Sequence, residues 1–145
     1  MTFLRILSAL LIIHQAQVAF AQYGGGSGTV SDPYLISTAQ DLQNLSATSG
    51  DWDKHYQLVN DLDLDLVAYG NPIGNSSTPF IGTFDGNGHT ISNLTINLST
   101  TEYVGLFGWV GNKVDPIAIY NLGLIDSKIT GDDVVGPLWA GCGVE

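Results

Sequence analysis

The sequence predicts an all-β fold, a right-handed parallel β-helix (solenoid) of about three coils with a short N-terminal capping helix. Two recurring patterns and one short helical stretch support this prediction. The first pattern is an aliphatic residue, two residues ending in Asn or Asp, and an aliphatic-x-aliphatic triplet, with copies beginning at Val59, Ile91 and Ile119. The second pattern is a β-branched residue followed by Gly at positions 73, 104 and 135, a constant spacing of 31 residues.

Residues 1–21 have the features of a signal peptide. Arg5 precedes the apolar run Ile6–Ile13, and Ala19-Phe20-Ala21 is a small-x-small cleavage site. The apolar run is shorter than the roughly 20 residues that a membrane-spanning helix needs. We therefore expect cleavage before Gln22 and a secreted, extracellular chain, associated with the cell surface, that does not insert into a membrane after cleavage.

A leader and a cap are predicted between the cleavage site and the repeats. Residues 22–31 are rich in Gly and Ser and are predicted to form a flexible leader. Residues 32–55 are predicted to form an N-terminal cap, a strand followed by a helix over Ala39–Ser46. Thr38 is the expected N-cap, because Asp41 follows three positions later as in a capping box. Such a helix would cover the first exposed sheet edge.

The spacing of the first pattern predicts corners between short strands in residues 56–145. Inward residues of a straight strand lie two positions apart, whereas the first step here is three, so one residue is absorbed by a bend. Asp61, Asn93 and Asn121 tolerate the left-handed backbone of such a corner. An antiparallel sandwich is the alternative, since Asp85–Gly88 is a strong hairpin-turn signal, but it does not explain the 31-residue spacing.

The third β-branched-Gly copy departs from the pattern. Val135-Gly136 is followed by Pro137, which lacks the backbone donor expected of a strand. The alternatives are an irregular terminal cap and a chain truncated at its C-terminus. We expect truncation, with continuation into further repeats.

Several segments resemble the GLUG-motif family of bacterial surface and adhesin-like proteins. They are Asp32–Ile36, His55–Leu64, Pro72–Gly74, Phe80–Ile91 and Val104–Gly108, and the most specific part is Gly82–Ile91. The resemblance implies a β-helical stalk with an extracellular role, of the kind also found beside immunoglobulin-A-cleaving metallopeptidase domains. It implies no catalytic residue.

Charge and cysteine content exclude some classes of partner and of stabilising bond. Loss of the signal peptide leaves Lys54, Lys113 and Lys128 as the basic residues against fourteen acidic ones. Nucleic-acid affinity depends on Lys and Arg contacts to phosphate, so no nucleic-acid partner is expected. Cys142 is the single cysteine, so an internal disulfide is excluded.

The acidic residues provide the candidate site. Asp61, Asp63 and Asp65 alternate with leucines, which would place all three on one outer face about 6.8 Å apart, within the separation used by inverting glycosidases. These aspartates, with Asp85 and Asn87, are also the candidate Ca²⁺ ligands. A solvated face and a tight turn explain the same residues without a ligand. No cofactor is predicted, with Ca²⁺ as the alternative.

The function predicted is a non-catalytic extracellular module for adhesion, binding or display, with an unknown protein or glycan ligand. No HExxH motif and no Gly-x-Ser-x-Gly elbow is present, so no catalytic residue is assigned and no enzyme is predicted. Trp52, Tyr103, Trp109 and Trp139 would stack on sugar rings if exposed, or fill corners and coil ends if buried. The alternatives are a carbohydrate-active or carbohydrate-binding β-helix and a non-catalytic appendage of a secreted peptidase.

Overall fold

The computed structural model describes residues 22–111 and 118–142. Within these ranges most elements are strands and one is an α-helix, which confirms the all-β class. The predicted signal peptide lies outside the described residues. None of the described helices has the length and apolarity that crossing a bilayer requires. In chain order the elements are β1 (Tyr34–Ile36), α1 (Ala39–Ala47), a 3₁₀ turn (Ser49–Asp51), β2 (His55–Leu58), β3 (Leu62–Asp63), β4 (Thr83–Asp85), β5 (Thr90–Ser92), β6 (Thr95–Asn97), β7 (Phe107–Val110), β8 (Ala118–Tyr120), β9 (Gly123–Ile125), β10 (Lys128–Thr130) and β11 (Trp139–Cys142).

The strands pair in parallel, each with a strand from an earlier or later stretch of the chain. The described strands form four sheets, with the orders β1-β2-β4-β8, β3-β5-β9, β10-β6 and β11-β7. In the largest sheet Tyr34 lies opposite Tyr56, Tyr56 opposite Phe84, and Phe84 opposite Ile119. This in-register pairing rules out the antiparallel sandwich for the part of the chain described here, because such a sandwich is built from antiparallel ladders.

One apolar core lies between the sheets. Alternation along β2 buries Tyr56 and Leu58 and leaves His55 and Gln57 half-exposed, since successive side chains point to opposite faces. Aromatic rings continue the core along the stack, with the Phe84 ring 5.5 Å from the Phe107 ring. Along β2 the inward residues are therefore the ones that the alternation of the sequence selects.

Helix α1 covers β1 at the beginning of the stack. As expected, the Thr38 hydroxyl accepts a hydrogen bond from the Asp41 N–H, and the Asp41 carboxylate accepts one from the Thr38 N–H. Leu42 and Leu45 face the core and are fully buried. The helix begins where the capping box predicts it, and its apolar side faces the core.

The segment over residues 22–31 differs from the flexible leader predicted by its composition. The Gly24 N–H donates to the Leu35 carbonyl at 2.8 Å, and the Leu35 N–H donates to the Gly25 carbonyl at 2.9 Å. The Tyr23 side chain is buried in the core. A Cβ on Gly26 would overlap the Pro33 carbonyl oxygen, so this glycine permits close approach to β1 rather than flexibility. Residues 23–26 of this segment are therefore packed against β1.

Two of the three predicted corners have the left-handed backbone. The φ angles are 58° at Asn93 and 54° at Asn121, whereas Asp61 is not left-handed. Asp126 adopts φ 52° one strand further along, and the neighbouring Ile125 carbonyl accepts the Asn93 N–H at 3.0 Å. Asn93 and Asp126 are thus successive copies of one corner, and Asn121 belongs to a different one.

The three copies of the first sequence pattern do not stack on one another. Ile91 lies opposite Leu62 and Leu124, while Ile119 lies opposite Phe84. The same pattern therefore occurs at two different corners, and its Asn has the left-handed backbone at both, as Asn93 and Asn121 show. The pattern predicts a corner but does not identify which corner it is.

Of the three copies of the second pattern, the last two lie side by side. Val104 and Val135 form a parallel bridge, whereas Ile73 bridges Phe107 instead of Val104. After this point the Pro137 carbonyl accepts the Leu106 N–H at 3.1 Å, and β11 then pairs in parallel with β7. Pro137 interrupts the strand without ending the parallel pairing.

Candidate functional site

The three aspartates of the first candidate site do not share one straight strand. Strand β3 ends at Asp63, and the chain turns at Asp65 and Leu66. Leu66 is 96 % exposed, although alternation predicted it inside. Strand β3 is therefore too short to place all three carboxylates on one straight strand face.

Asp61 and Asp63 instead hold corners of the stack together. Asp61 Oδ1 accepts the Thr90 N–H at 2.9 Å and lies 3.2 Å from His89 Nδ1. The Thr90 N–H, and after it the His89 ring, hold the pKa of the Asp61 carboxyl below its usual value. Asp63 Oδ1 accepts from Asn93 Nδ2 at 2.8 Å and from the Asp65 N–H at 3.0 Å, which lowers its pKa in the same way. Both carboxylates thus have a structural role.

The second candidate site is a tight turn. Asp85 Oδ1 accepts the Asn87 N–H at 2.8 Å and Asn121 Nδ2 at 3.1 Å. Asn87 has φ 51° and Gly88 has φ 80°, the left-handed values that such a turn needs. Within the described ranges 22–111 and 118–142, no three His, Cys, Asp or Glu side chains are gathered closely enough to hold a metal ion.

The lowered pKa of Asp61 predicts a pH-dependent contribution to stability. A carboxyl whose folded pKa is lowered stabilises the fold above its unfolded pKa, about 3.9, and loses that contribution as the pH falls through the folded value. We expect the difference in melting temperature between the wild type and Asp61→Ala to narrow steadily from pH 5 to pH 2. Thermal unfolding followed by circular dichroism measures it. A difference that is constant over this range would contradict the role given to the carboxylate.

A groove of about 750 Å³, lined by both polar and apolar residues, lies on one flank of the stack, away from these aspartates. It is bounded by the end of α1, by the loops around positions 71–76 and 98–103, and by Asp132. The Ser46 hydroxyl donates to the Asn71 carbonyl at 2.6 Å and joins the helix to the first loop. The Trp52 indole N–H donates to the Leu45 carbonyl at 2.8 Å, which fixes the ring beneath the same wall. The groove therefore has hydrogen-bonded walls.

Tyr103 provides the half-exposed aromatic ring of the groove. Its ring centroid lies 4.7 Å from that of Trp109, edge to face at 78°, so the ring is held in one orientation. Its backbone has φ 58°, and Val134 has φ 45° at the same corner of the next turn of the chain. Gly108 allows this wall to pack closely, since a Cβ there would lie 2.9 Å from the Tyr103 carbonyl oxygen.

Two exposed acidic residues, Glu102 and Asp132, line the groove from successive stretches of the chain. The Asp132 N–H donates to the Thr101 carbonyl at 3.0 Å, and the Tyr103 N–H donates to the Asp133 carbonyl at 3.1 Å. These bonds bring the two acidic segments side by side. Sequence reasoning singled out Tyr103 but missed both acids. The 31-residue Val-Gly spacing, applied to the residues before Val104 and Val135, pairs Thr101 with Asp132 and Glu102 with Asp133, and so would have placed the two acidic segments side by side.

No known protein-family profile matches this chain. Its relatives include two much longer proteins, and the chain spans a small part of each. Halomucin of Haloquadratum walsbyi is 40% identical over 119 residues, which is 77% of this chain and 1% of halomucin. A protein of Evansella cellulosilytica described as a Gly-rich membrane protein is 35% identical over 137 residues, 88% of this chain and 15% of that protein.

One solved structure shares the fold over most of the chain. It is a Bacteroides ovatus protein described as an immunoglobulin A1 protease, with a TM-score of 0.59 and 25% sequence identity. The match covers 76% of this chain and 31% of that protein. In each comparison the present chain corresponds to one part of a larger molecule.

Proposed function

We propose that this chain is a non-catalytic, extracellular β-helical module that serves binding, adhesion or display at the cell surface. The observation that carries the proposal is the stacking of parallel strands in register along several sheets, capped at the beginning by α1. The relatives add support, because the chain matches 1% of halomucin and 15% of a protein described as a membrane protein. Segments of this kind thus occur inside much longer proteins with names consistent with a surface location.

A right-handed β-helix is the path that best accounts for the sheet orders. Each of the larger sheets takes a strand from every successive stretch of chain, as expected when the chain passes through the same sheets once per coil. Right-handed connection is the usual hand between parallel strands of one sheet. Strands β8, β9, β10 and β11 stand at the edges of their sheets, where a further coil of a longer protein would pair. An experimental structure with a left-handed or non-helical path would contradict this proposal.

The proposal assigns no catalytic residue to this chain. Asp61, Asp63 and Asp85 accept hydrogen bonds that hold corners together, so their carboxylates are structural. The likeness to the protein described as a protease covers 31% of that protein, which fits an appendage beside a catalytic region elsewhere. The GLUG resemblance, of the kind found beside immunoglobulin-A-cleaving peptidases, agrees with the same role.

Export tests the localisation. The chain with a C-terminal affinity tag is produced in bacterial cells, and the cells are fractionated. We expect the product to begin at Gln22 by mass spectrometry and to be cleaved by protease added to intact cells or found in the medium. The matched variant Leu11→Arg places a charge in the apolar run of the signal peptide and should remain uncleaved inside the cells. An uncleaved wild-type chain inside the cells would overturn the extracellular part of the proposal.

A further inference from the structure

The flank groove combines an oriented aromatic ring, carboxylates and amides in one concave surface. We propose that it binds a neutral oligosaccharide, with Tyr103 as the stacking platform and Glu102 and Asp132 as acceptors for sugar hydroxyls. This inference deepens the proposed binding function and rests on it by naming the ligand class. It uses residues separate from the corner aspartates at 61, 63 and 85.

The ring supplies the apolar half of such a site. A sugar presents C–H groups on its ring face and hydroxyls around its rim, so it is complementary to an aromatic face bordered by polar side chains. Contact with Trp109 at 4.7 Å between centroids orients the Tyr103 ring before any ligand arrives. Less side-chain entropy is then lost on binding, which favours affinity.

The polar half consists mainly of acceptors. Each ionised carboxylate of Glu102 and Asp132 has two oxygens that accept hydrogen bonds from hydroxyl groups. Asn75 Oδ1 already accepts the Ser77 and Thr78 N–H groups at 3.0 and 2.9 Å, so the amide NH₂ of Asn75 is its remaining donor. A ligand rich in hydroxyl groups can donate hydrogen bonds to these carboxylates and accept one from the Asn75 amide.

Charge distinguishes between classes of glycan. All the charged residues that line the groove are acidic, and the chain has a net charge of -10 at pH 7. A uronic acid, sulfated sugar or phosphate would be repelled, since no Lys or Arg is among the lining residues described to pair with it. The groove therefore selects neutral sugars.

The shape and lining disfavour a peptide. Peptide grooves generally provide apolar pockets for anchor side chains, whereas seven of the fifteen residues that line this groove are Ser, Thr or Asn and two more are acidic. Its volume of about 750 Å³ lies within the ordinary range of ligand sites. A short oligosaccharide is the occupant that fits both the size and the chemistry.

An immobilised panel of oligosaccharides tests the proposal on the secreted chain. The panel contains neutral tetra- to hexasaccharides of glucose, mannose, galactose and N-acetylglucosamine, together with oligogalacturonate and hyaluronan as anionic probes and an unrelated set of peptides. We expect binding to at least one neutral sugar and none to the anionic probes or peptides. Isothermal titration with the best neutral sugar then gives the affinity.

The variants separate binding from folding. Tyr103→Asn removes the ring and its contact with Trp109, but it does so at a left-handed position that Asn tolerates better. The two effects on stability oppose each other, so the melting temperature should change by only a few degrees while affinity falls about tenfold or more. Val134→Asn makes the same backbone-compatible change one turn along, outside the groove, and should bind as the wild type does. Glu102→Gln and Asp132→Asn should each weaken binding several-fold and reduce discrimination against oligogalacturonate.

The results that would overturn sugar binding in the groove differ from those that would overturn the proposed function. A wild-type protein that binds no neutral sugar, or prefers anionic sugars or peptides, overturns the glycan assignment while export and surface exposure still stand. Sugar binding that Tyr103→Asn leaves unchanged places the ligand elsewhere and equally overturns the role of the groove. An uncleaved wild-type chain inside the cells would instead contradict the module proposal, whatever the panel shows.

Discussion

Phe84→Ala is expected to lower the free energy of unfolding by about 3–5 kcal/mol. Phe84 is fully buried in the middle of the largest sheet, between Tyr56 and Ile119. Its ring stacks on Tyr56 at 6.4 Å and meets Phe107 edge to face at 5.5 Å. Truncation removes the transfer free energy of the ring and leaves a cavity that neighbours on three sides cannot fill. Urea unfolding followed by circular dichroism and tryptophan fluorescence measures the change.

Tyr120→Ala is the matched control. Tyr120 is also an aromatic strand residue of the same sheet, but it lies on the outer face at 47% exposure. Its truncation should cost within about 0.5 kcal/mol, the usual range for surface positions. Equal losses for the two variants would show that the core does not lie where the alternation places it. A domain has a stability of only about 5–15 kcal/mol, so the Phe84 change alone is expected to remove at least about a fifth of the total free energy of unfolding.

Gly82→Ala is expected to destabilise the protein by about 3 kcal/mol, at the upper end for overpacking. A Cβ at this position would overlap the Lys54 carbonyl oxygen, which is backbone and cannot rotate away. The backbone is fixed on both sides, since the Gly82 N–H donates to the Trp52 carbonyl at 2.9 Å and the Thr83 N–H donates to the Lys54 carbonyl at 3.2 Å. Relief of the overlap therefore requires the entry into β4 to separate from β2.

Gly50→Ala provides the comparison for this change. A Cβ on Gly50 meets no atom within 4 Å, and the residue lies in the 3₁₀ turn after α1. Alanine there should be neutral or stabilising by about 0.5 kcal/mol, because it restricts the unfolded chain. The two glycine variants are measured by the same urea unfolding experiment. Equal stability of the Gly82→Ala and Gly50→Ala variants would contradict the close approach of β4 to the Lys54 backbone.

Local chemistry was predicted correctly because it depends on neighbours in the sequence. The capping box of Thr38 and Asp41 is complete within four residues, so it determines where α1 begins. Asn93 and Asn121 are left-handed because their side chains tolerate that backbone, whatever lies around them. Inward and outward positions along β2 follow from alternation alone.

The candidate site was predicted less well, since it depends on contacts between distant residues. Asp61 was predicted to form a left-handed corner or an acidic face, but its carboxylate is bound by Thr90 from the next stretch of chain. The groove forms because the segments of Thr101 and Asp132 lie side by side. In the sequence, this contact is indicated by the 31-residue spacing of the Val-Gly pattern alone. Tyr103 was a candidate from its aromatic character, yet its exposure depended on this packing.

By itself, the sequence determined an all-β chain with a capped beginning, buried alternate residues and corners at Asn93 and Asn121, because each of these follows from interactions within a few residues. Only the tertiary structure decided the register that places Ile91 on Leu62 and Ile119 on Phe84. Two kinds of corner carry the same local pattern, and the choice between them is made by which strands pair and fill the core. That choice also assembled the flank groove from segments some thirty residues apart.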